Sequence, residues 1–309
     1  MIVTLPCALL LLDVWPLRRI KLGGILNEHH RVDRHELMAI SRQVLILIRE
    51  KLPLFVIIVA LSISTFIAQR EVGTMNANIP LFARMGTATL GYLTYMQQTI
   101  FPDNLCVLYP IRVNFVPIKW ISALLLLCVL SARAIIRINQ FSYYFVGWFW
   151  FIGTLVPVIG LVQVGEQSHA DRYTYIPLVG LFICAAWGLG DFIQKHPNQK
   201  RLCITGVVVG LILCVTLTRI QLPHWEDSAQ LFKRVIEVDP KTVTGYLNLS
   251  GELNTHERYQ ESAQYLEKAL TIGPTAGIYF NLAVCYCSLG KSNEAQLSVI
   301  KGLSVESDH

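Results

Sequence analysis

The sequence has few charged residues for its length. Aspartate, glutamate, lysine and arginine make up 15% of the 309 residues, against roughly 25% in a typical soluble domain. Hydrophobic residues make up 53%, and the mean hydropathy is +0.47. Because the apolar residues are also gathered into long runs, the composition excludes a single soluble domain and indicates a membrane protein.

A secretory signal and a disulfide framework are absent as well. Residues 1–17 have no positively charged start and no small-residue cleavage site, so we predict a short spanning helix there. Cys285 and Cys287 lie two apart on a predicted helix and point in different directions, which predicts no metal site. Other cysteines lie in apolar runs and act as small hydrophobic residues: Cys128, Cys184, Cys203 and Cys214.

Several apolar runs approach the roughly 20 residues that an α-helix needs to cross a bilayer. They lie near residues 1–17, 52–68, 115–132, 143–164, 174–192 and 202–218. Residues 81–100 carry Arg84 and four threonines, and a charge at the centre of a span costs about 2.5–3.5 kcal/mol. We therefore predict an interfacial helix at 81–100, within a polytopic transmembrane helix bundle that covers residues 1–220.

Charge is distributed unevenly along the chain. Residues 1–220 carry 19 basic and 10 acidic side chains, a net charge of +9, whereas later residues carry 7 and 11, a net charge of −4. This excludes a nucleic-acid-binding protein and indicates a basic membrane part joined to an acidic soluble part. Because basic loops face the cytoplasm, stretches 18–51, 133–137 and 195–201 predict a multi-pass protein whose residues after 220 are non-cytoplasmic.

Residues 221–309 contain a sequence repeat. The segments YLNLS (246–250) and YFNLA (279–283) match at a spacing of 33 residues, which is typical of tetratricopeptide (TPR) repeats. About two and a half repeats are predicted, with Gly290 ending the first helix of the last one. The predicted fold is therefore all-α, a membrane bundle followed by TPR helices that bind a protein or peptide partner. The predicted packing positions are Leu249, Ser250, Ala269, Leu282, Ala283 and Ala295.

A polar stretch, HADRYTYIP (169–177), stands between two of the apolar runs. One interpretation is functional, since ionisable residues at a bilayer edge commonly contact substrates or ions. The other is structural, with Asp171 as a helix N-cap, Arg172 as an anchor among head groups, and Tyr173 and Tyr175 in an aromatic belt. The residues alone leave both interpretations open.

Two motifs together resemble a known family. LVPVIGLVQVGEQSHADRYTYIPLVGLF (155–182), and HWEDSAQLF (224–232) followed by TPR repeats, resemble the transmembrane-and-TPR O-mannosyltransferase-like proteins of the GT-C glycosyltransferase class. VTLPCALLLLDVWPLRR (3–19) is similar to that family as well. The resemblance implies that a sugar, mannose, is transferred from a polyprenyl- or dolichyl-phosphate carrier to serine or threonine of a protein.

The resemblance also implies roles for individual residues. Basic residues hold the lipid phosphate, and a guanidinium suits this task because it can bind phosphate in a bidentate manner. The candidates for this contact are Arg172, His169, Arg112 and Arg84. The candidate acid–base or orienting residues are Asp171 and Asp103, and the candidate lipid-groove aromatics are Tyr173 and Tyr175. No metal or further cofactor is implied beyond the lipid-phosphate-linked sugar donor.

The acidic pair that catalyses transfer in the family has no counterpart in this chain. In the family the pair lies in the first outer loop, whereas the similarity here starts at a later span. We therefore expect a fragment that lacks the N-terminal catalytic part, and the general base stays unassigned. One alternative is a non-enzymatic, membrane-anchored TPR scaffold. A channel or transporter is a further alternative, although inverted repeats and broken charged spans are lacking.

Overall fold

The computed structural model describes residues 2–20, 34–71, 80–110, 117–161 and 167–307. These residues are helical almost throughout, which confirms the predicted all-α class. The α-helices are α1 (Leu5–Val14), α2 (Arg34–Glu71), α3 (Leu81–Ile100), α4 (Pro117–Ile136), α5 (Ser142–Leu155), α6 (Tyr175–Lys195), α7 (Lys200–Gln221), α8 (Ser228–Val238), α9 (Val243–Thr255), α10 (Tyr259–Ile272), α11 (Ala276–Ser288) and α12 (Ser292–Ser307). The short strands are β1 (Tyr109–Pro110) and β2 (Gln167–His169), and 3-10 turns cover Ile2–Thr4, Asp171–Tyr173, Pro197–Gln199 and Leu222–Trp225.

The chain divides into two compact units. The first comprises Met1–Phe101 and Ile111–Val209, and the second comprises Pro102–Pro110 and Gly210–His309. Helix α7 begins in the first unit and ends in the second. The domain boundary that the sequence places at residue 220 stays a prediction.

Three helical segments of the described chain are long and apolar enough to cross a membrane. They are Pro117–Ile136, Tyr175–Lys195 and Pro197–Trp225, which overlap the predicted spans at 115–132, 174–192 and 202–218. The apolar window of Pro197–Trp225 has 0% of its residues buried. A helix that is apolar and exposed all round is suited to a lipid environment rather than to water.

The other predicted spans correspond to helices of different lengths. Helix α1 has 10 residues and α5 has 14, fewer than the roughly 20 that a straight crossing needs. Residues 52–68 lie within the 38 residues of α2. Their crossing of the bilayer stays a prediction. Helix α3 covers the segment 81–100, and its interfacial position is also still a prediction.

The core of the first unit is formed by α3, α4 and α5. Tyr95, Phe151 and Leu155 are fully buried in it. Helices α5 and α6 approach closely at Gly147 and Gly180, where a methyl group on either glycine would overlap the carbonyl oxygen of the other. This contact holds the first turns of α6, which follow directly on the polar stretch, against the core.

A buried ion pair joins α1 to α2 in the same unit. The Asp13 carboxylate accepts hydrogen bonds from Lys51 Nζ at 2.6 Å and from Arg19 Nη1 at 3.1 Å. Asp13 and Lys51 are both buried, and Arg19 Nη2 also contacts Glu50 Oε2 at 2.6 Å. Because a buried charge without a partner costs several kcal/mol, this network holds the end of α1 against α2.

Helices α8 to α12 pack in sequence in the second unit, and α9 also contacts α11. The single helix α8 precedes two helix pairs, which is the arrangement expected of about two and a half TPR repeats. All the predicted packing residues are buried: Leu249, Ser250, Ala269, Leu282, Ala283 and Ala295. A polar chain links three helices, because Cys285 Sγ donates to Ser262 Oγ (3.3 Å) and Ser262 Oγ donates to the Ser250 carbonyl (3.2 Å). Cys285 is buried and Cys287 is exposed, as predicted.

Helices α9 and α11 end with the same backbone geometry. Gly290 has φ 74°, and the N–H groups of Gly290 and Lys291 donate to the carbonyls of Cys287 and Tyr286. This confirms the predicted glycine end of α11. Glu257, at the repeat spacing before Gly290, has φ 58° and stands in the same left-handed position without being glycine. The repeat therefore extends to the backbone conformation, although the residue type differs.

Candidate functional site

The polar stretch is attached to the core through one tyrosine. Tyr95 of α3 donates its hydroxyl proton to the Ala170 carbonyl oxygen, and its oxygen accepts from the Ala170 N–H, both at 3.0 Å. Tyr95 and Ala170 are fully buried. The 3-10 turn Asp171–Tyr173 starts at the next residue and leads into α6. The buried backbone of Ala170 therefore fixes the position of the turn and of the side chains that it carries.

His169 lies beside the same tyrosine. Its ring meets the Tyr95 ring edge to face, with centroids 5.6 Å apart, and its Nδ1 lies 2.8 Å from Ser168 Oγ. Burial lowers the pKa of His169 from 6.5 to about 4, because desolvation disfavours the imidazolium. His169 is consequently neutral near pH 7 and adds no positive charge to the loop.

Arg172 is the exposed cation of the stretch. Its Nη2 donates to Gln167 Oε1 at 3.3 Å, and its guanidinium carbon lies 5.1 Å from the centre of the Tyr173 ring. Gln167 Nε2 in turn donates to the Tyr173 hydroxyl at 3.1 Å. The three side chains orient one another, so that the guanidinium is held at the start of an apolar helix while still facing outwards.

The other predicted site residues are placed differently. Tyr175 is 79% exposed at the start of α6. Asp103 belongs to the second unit, where its Oδ2 accepts from Asn104 Nδ2 at 3.3 Å. Arg84 is half-buried on α3. Arg112 lies outside the described residues.

Asp171 does not cap α6. It starts the 3-10 turn, and its carbonyl oxygen accepts from Thr174 Oγ1 at 2.7 Å. The N-cap residue of α6 is Thr174. The interpretation of Asp171 as the helix N-cap is therefore wrong, because a short 3-10 turn separates the aspartate from the helix.

Two residues of this cluster, Tyr95 and Gln167, were not selected by sequence reasoning. A buried tyrosine needs a partner for its hydroxyl group, so Tyr95 could have been noticed once α3 was known to be buried. Gln167 precedes the polar stretch by two residues and has no distinguishing pattern. Its role as a bridge between Arg172 and Tyr173 depends on the folded loop.

The fold and this loop define an all-α membrane protein with TPR-like helices towards its C-terminus. No family model matches the chain. Part of the chain is similar to two curated proteins of Drosophila melanogaster. It is 25% identical over 113 residues to protein O-mannosyl-transferase Tmtc2, and 31% identical over 119 residues to protein O-mannosyl-transferase Tmtc1.

These similarities cover 36% and 37% of this chain. The chain spans only 12% and 13% of the length of those two proteins. Among solved structures, the chain is similar to MamA MSR-1 C2, with 20% sequence identity and a TM-score of 0.28. That similarity covers 55% of this chain and 98% of the MamA chain.

Proposed function

We propose that this protein is an integral-membrane, multi-pass glycosyltransferase-like protein. It takes a sugar, mannose, from a polyprenyl or dolichyl phosphate and delivers it to serine or threonine of a protein. The observation that carries the proposal is the exposed guanidinium of Arg172, oriented by Gln167 and Tyr173 in the 3-10 turn just before an apolar helix. The partial similarity to two O-mannosyl-transferases supports the same reaction class.

The chemistry of the loop suits a lipid phosphate. Arg172 can form two parallel hydrogen bonds to phosphate oxygens, and such charge-assisted bonds are about twice as strong as neutral ones. His169 is neutral and its Nε2 is buried, so the charge that would attract the phosphate is that of Arg172. The lipid chain would then lie along the apolar surface of α6, where Tyr175 is 79% exposed.

Transfer itself requires a nucleophile and a base. The acceptor hydroxyl attacks C1 of the sugar, the bond between C1 and the phosphate oxygen breaks, and the lipid phosphate leaves with both electrons. The hydroxyl proton passes to a carboxylate. Asp171 and Asp103 are the sequence candidates for acid–base or orienting roles, and we assign the base to neither. Arg172 acts on the leaving phosphate, whose developing charge it stabilises.

The topology is part of the proposal. The basic stretches 133–137 and 195–201 face the cytoplasm, so that the loop at 169–177 and the TPR helices lie on the non-cytoplasmic side. Sugar acceptor proteins and the lipid-linked donor would then meet on one side of the membrane. Protease protection of sealed vesicles tests this arrangement, because a non-cytoplasmic second unit stays intact until the membrane is opened.

The test of the reaction is sugar transfer by the full-length protein in isolated membranes. With dolichyl-phosphate-mannose as donor, Arg172→Ala is expected to lower transfer at least about tenfold, because a charge-assisted contact to the leaving phosphate is lost. Arg219→Ala removes an exposed arginine from α7 in the second unit and serves as control. Transfer at the parental rate by Arg172→Ala would remove this role for Arg172.

A non-enzymatic TPR scaffold is the second candidate. It is favoured by the buried core that runs through α9, α10 and α11, since a stacked array of this kind offers an extended surface for a protein or peptide. In this case Arg172→Ala leaves the amount of co-purified partner unchanged. Val284→Glu, at a position of α11 that is 52% exposed, would lower it without changing the helical circular dichroism.

A further inference from the structure

A second basic site lies in the first unit, away from the polar stretch. A cavity of about 270 Å³ opens beside α4, α5 and α6. Its lining includes Arg133, Arg137, Tyr143, Tyr144, Cys184 and Gly188. Gly188 stands 13 positions after the first residue of α6, which corresponds to about 20 Å along the helix from the Arg172 loop. The two basic sites are therefore separate.

The two arginines line the same cavity. Arg133 and Arg137 are four residues apart and thus lie on one face of α4 and just beyond its end. Both are exposed, and neither is among the ion pairs found within 4.0 Å in the described ranges. Positive charge at a helix C-terminus complements the helix dipole. The dipole does not explain, however, why both side chains line one concave space.

The surroundings of the cavity add to its positive character. Lys195 Nζ lies 5.5 Å from the centre of the Phe141 ring, which also lines the cavity. The nearby acid, Asp191, lines a neighbouring cavity rather than this one, and its Oδ2 accepts from the Tyr143 hydroxyl at 2.7 Å. Tyr143 lines both cavities, and its hydroxyl group holds the carboxylate of Asp191 in the neighbouring one.

The volume of the cavity limits the size of the group that it can bind. Pockets for drug-sized molecules measure roughly 300–1,000 Å³, so a cavity of about 270 Å³ suits a small polar group. Gly188 leaves part of this space open, because a Cβ atom added there would have no neighbouring atom within 4 Å. Paired guanidiniums bind the oxygens of a phosphate better than those of a neutral group.

We propose that this cavity binds a phosphate group through Arg133 and Arg137. The phosphate belongs to an anionic phospholipid head group or to a soluble phosphate ion. Basic pockets between membrane helices on the cytoplasmic side are suited to lipid head groups, and the aromatic residues beside the arginines are typical of the interface. The site is independent of sugar transfer and lies towards the opposite end of α6 from Arg172.

The test is thermal stabilisation of the purified protein in neutral detergent. Three probes are titrated at constant ionic strength: phosphatidylglycerol, phosphatidylcholine and potassium phosphate. Phosphatidylglycerol or potassium phosphate is expected to raise the apparent Tm, and phosphatidylcholine is not. A response to phosphatidylglycerol alone identifies a lipid head group, and a response to both anions identifies a site for phosphate itself. No response to either anion overturns the proposal.

Variants test whether the rise in apparent Tm comes from anion binding in this cavity. The double variant Arg133→Gln/Arg137→Gln is expected to raise the half-maximal anion concentration at least about tenfold. Gly188→Leu keeps both arginines and fills the cavity, so it should abolish the response. The matched controls are Lys200→Gln/Arg201→Gln, which removes two exposed charges from the start of α7, and Gly190→Leu, which adds a side chain in open space outside the cavity. Equal responses in the cavity variants and controls would show binding elsewhere and overturn the proposal.

Discussion

The hydroxyl group of Tyr95 makes two hydrogen bonds to one residue, donating to the carbonyl of Ala170 and accepting from its N–H group, each at 3.0 Å. A side chain of α3 thereby replaces the backbone partner that a sheet or helix would provide. Both backbone groups are buried and need a partner. The loop that carries His169 and Arg172 depends on this contact for its position.

Tyr95→Phe should loosen the polar stretch. The variant removes the hydroxyl group from two buried backbone groups, which costs about 1–3 kcal/mol, and hydrogen exchange at residues 167–175 should increase. Tyr92→Phe is the matched control, because Tyr92 donates to the Ile152 carbonyl of α5 at 2.9 Å rather than to the loop. If exchange in the loop rises equally in both variants, Tyr95 is not the anchor.

The contact between α5 and α6 should not tolerate a methyl group. Gly147→Ala and Gly180→Ala each place a carbon against the backbone of the other helix, and overpacking of this kind typically costs about 1–3 kcal/mol. The apparent Tm in detergent is expected to fall. Gly153→Ala in α5 meets no atom within 4 Å, and it should leave stability unchanged or slightly higher.

Stability should depend on the protonation of His169. Its pKa is lowered from 6.5 in the unfolded chain to about 4 in the folded protein, so between these values only the unfolded chain binds the proton. The stability that depends on a neutral imidazole is fully present above about pH 6.5. As the pH falls towards 4, the free energy of unfolding decreases by up to about 3 kcal/mol.

His169→Gln should therefore flatten the fall in apparent Tm between pH 6.5 and 4. His256→Gln is the control, since the side chain of His256 is 65% exposed. An unchanged pH profile in His169→Gln would contradict the buried, neutral state of this imidazole.

The end of α9 should be stabilised by glycine. Glu257 has φ 58°, a conformation that costs a non-glycine residue roughly 1–2 kcal/mol. Glu257→Gly is expected to stabilise the second unit by about 0.5–1 kcal/mol, less than the full cost because glycine also increases the entropy of the unfolded chain. Glu257→Gln removes the charge but keeps the strain, so urea unfolding should show no comparable gain for it.

Parts of this structure could be predicted from the sequence because they depend on local spacing. The repeat at 33 residues predicts which side chains pack between TPR helices, and Gly290 marks a helix end whose bonding is local. The strain at Glu257 could not be predicted in this way, because glutamate has no preference for the left-handed conformation. The backbone repeats there, while the residue type does not.

Helix α3 makes contacts that its composition does not reveal. Its four threonines are polar in the sequence, but Thr87, Thr89, Thr94 and Thr99 each donate to a carbonyl of the preceding turn. A hydroxyl group that is hydrogen-bonded to its own helix adds little polarity to the surface of that helix. Helix α3 can therefore bury Tyr92 and Tyr95 in the core. The cavity at Arg133 and Gly188 likewise depends on how α4 and α6 pack, which local patterns do not encode.

The most direct measurement is the affinity of the protein, in detergent, for dolichyl phosphate. Arg172→Ala is expected to weaken binding at least about tenfold. Arg172→Lys keeps the charge without the bidentate geometry, so its affinity should lie between those of the parent and Arg172→Ala. All three proteins are compared in the Arg133→Gln/Arg137→Gln background, because the cavity elsewhere on α6 is itself proposed to bind a phosphate group. Undiminished binding by Arg172→Ala would show that this guanidinium does not hold the lipid phosphate.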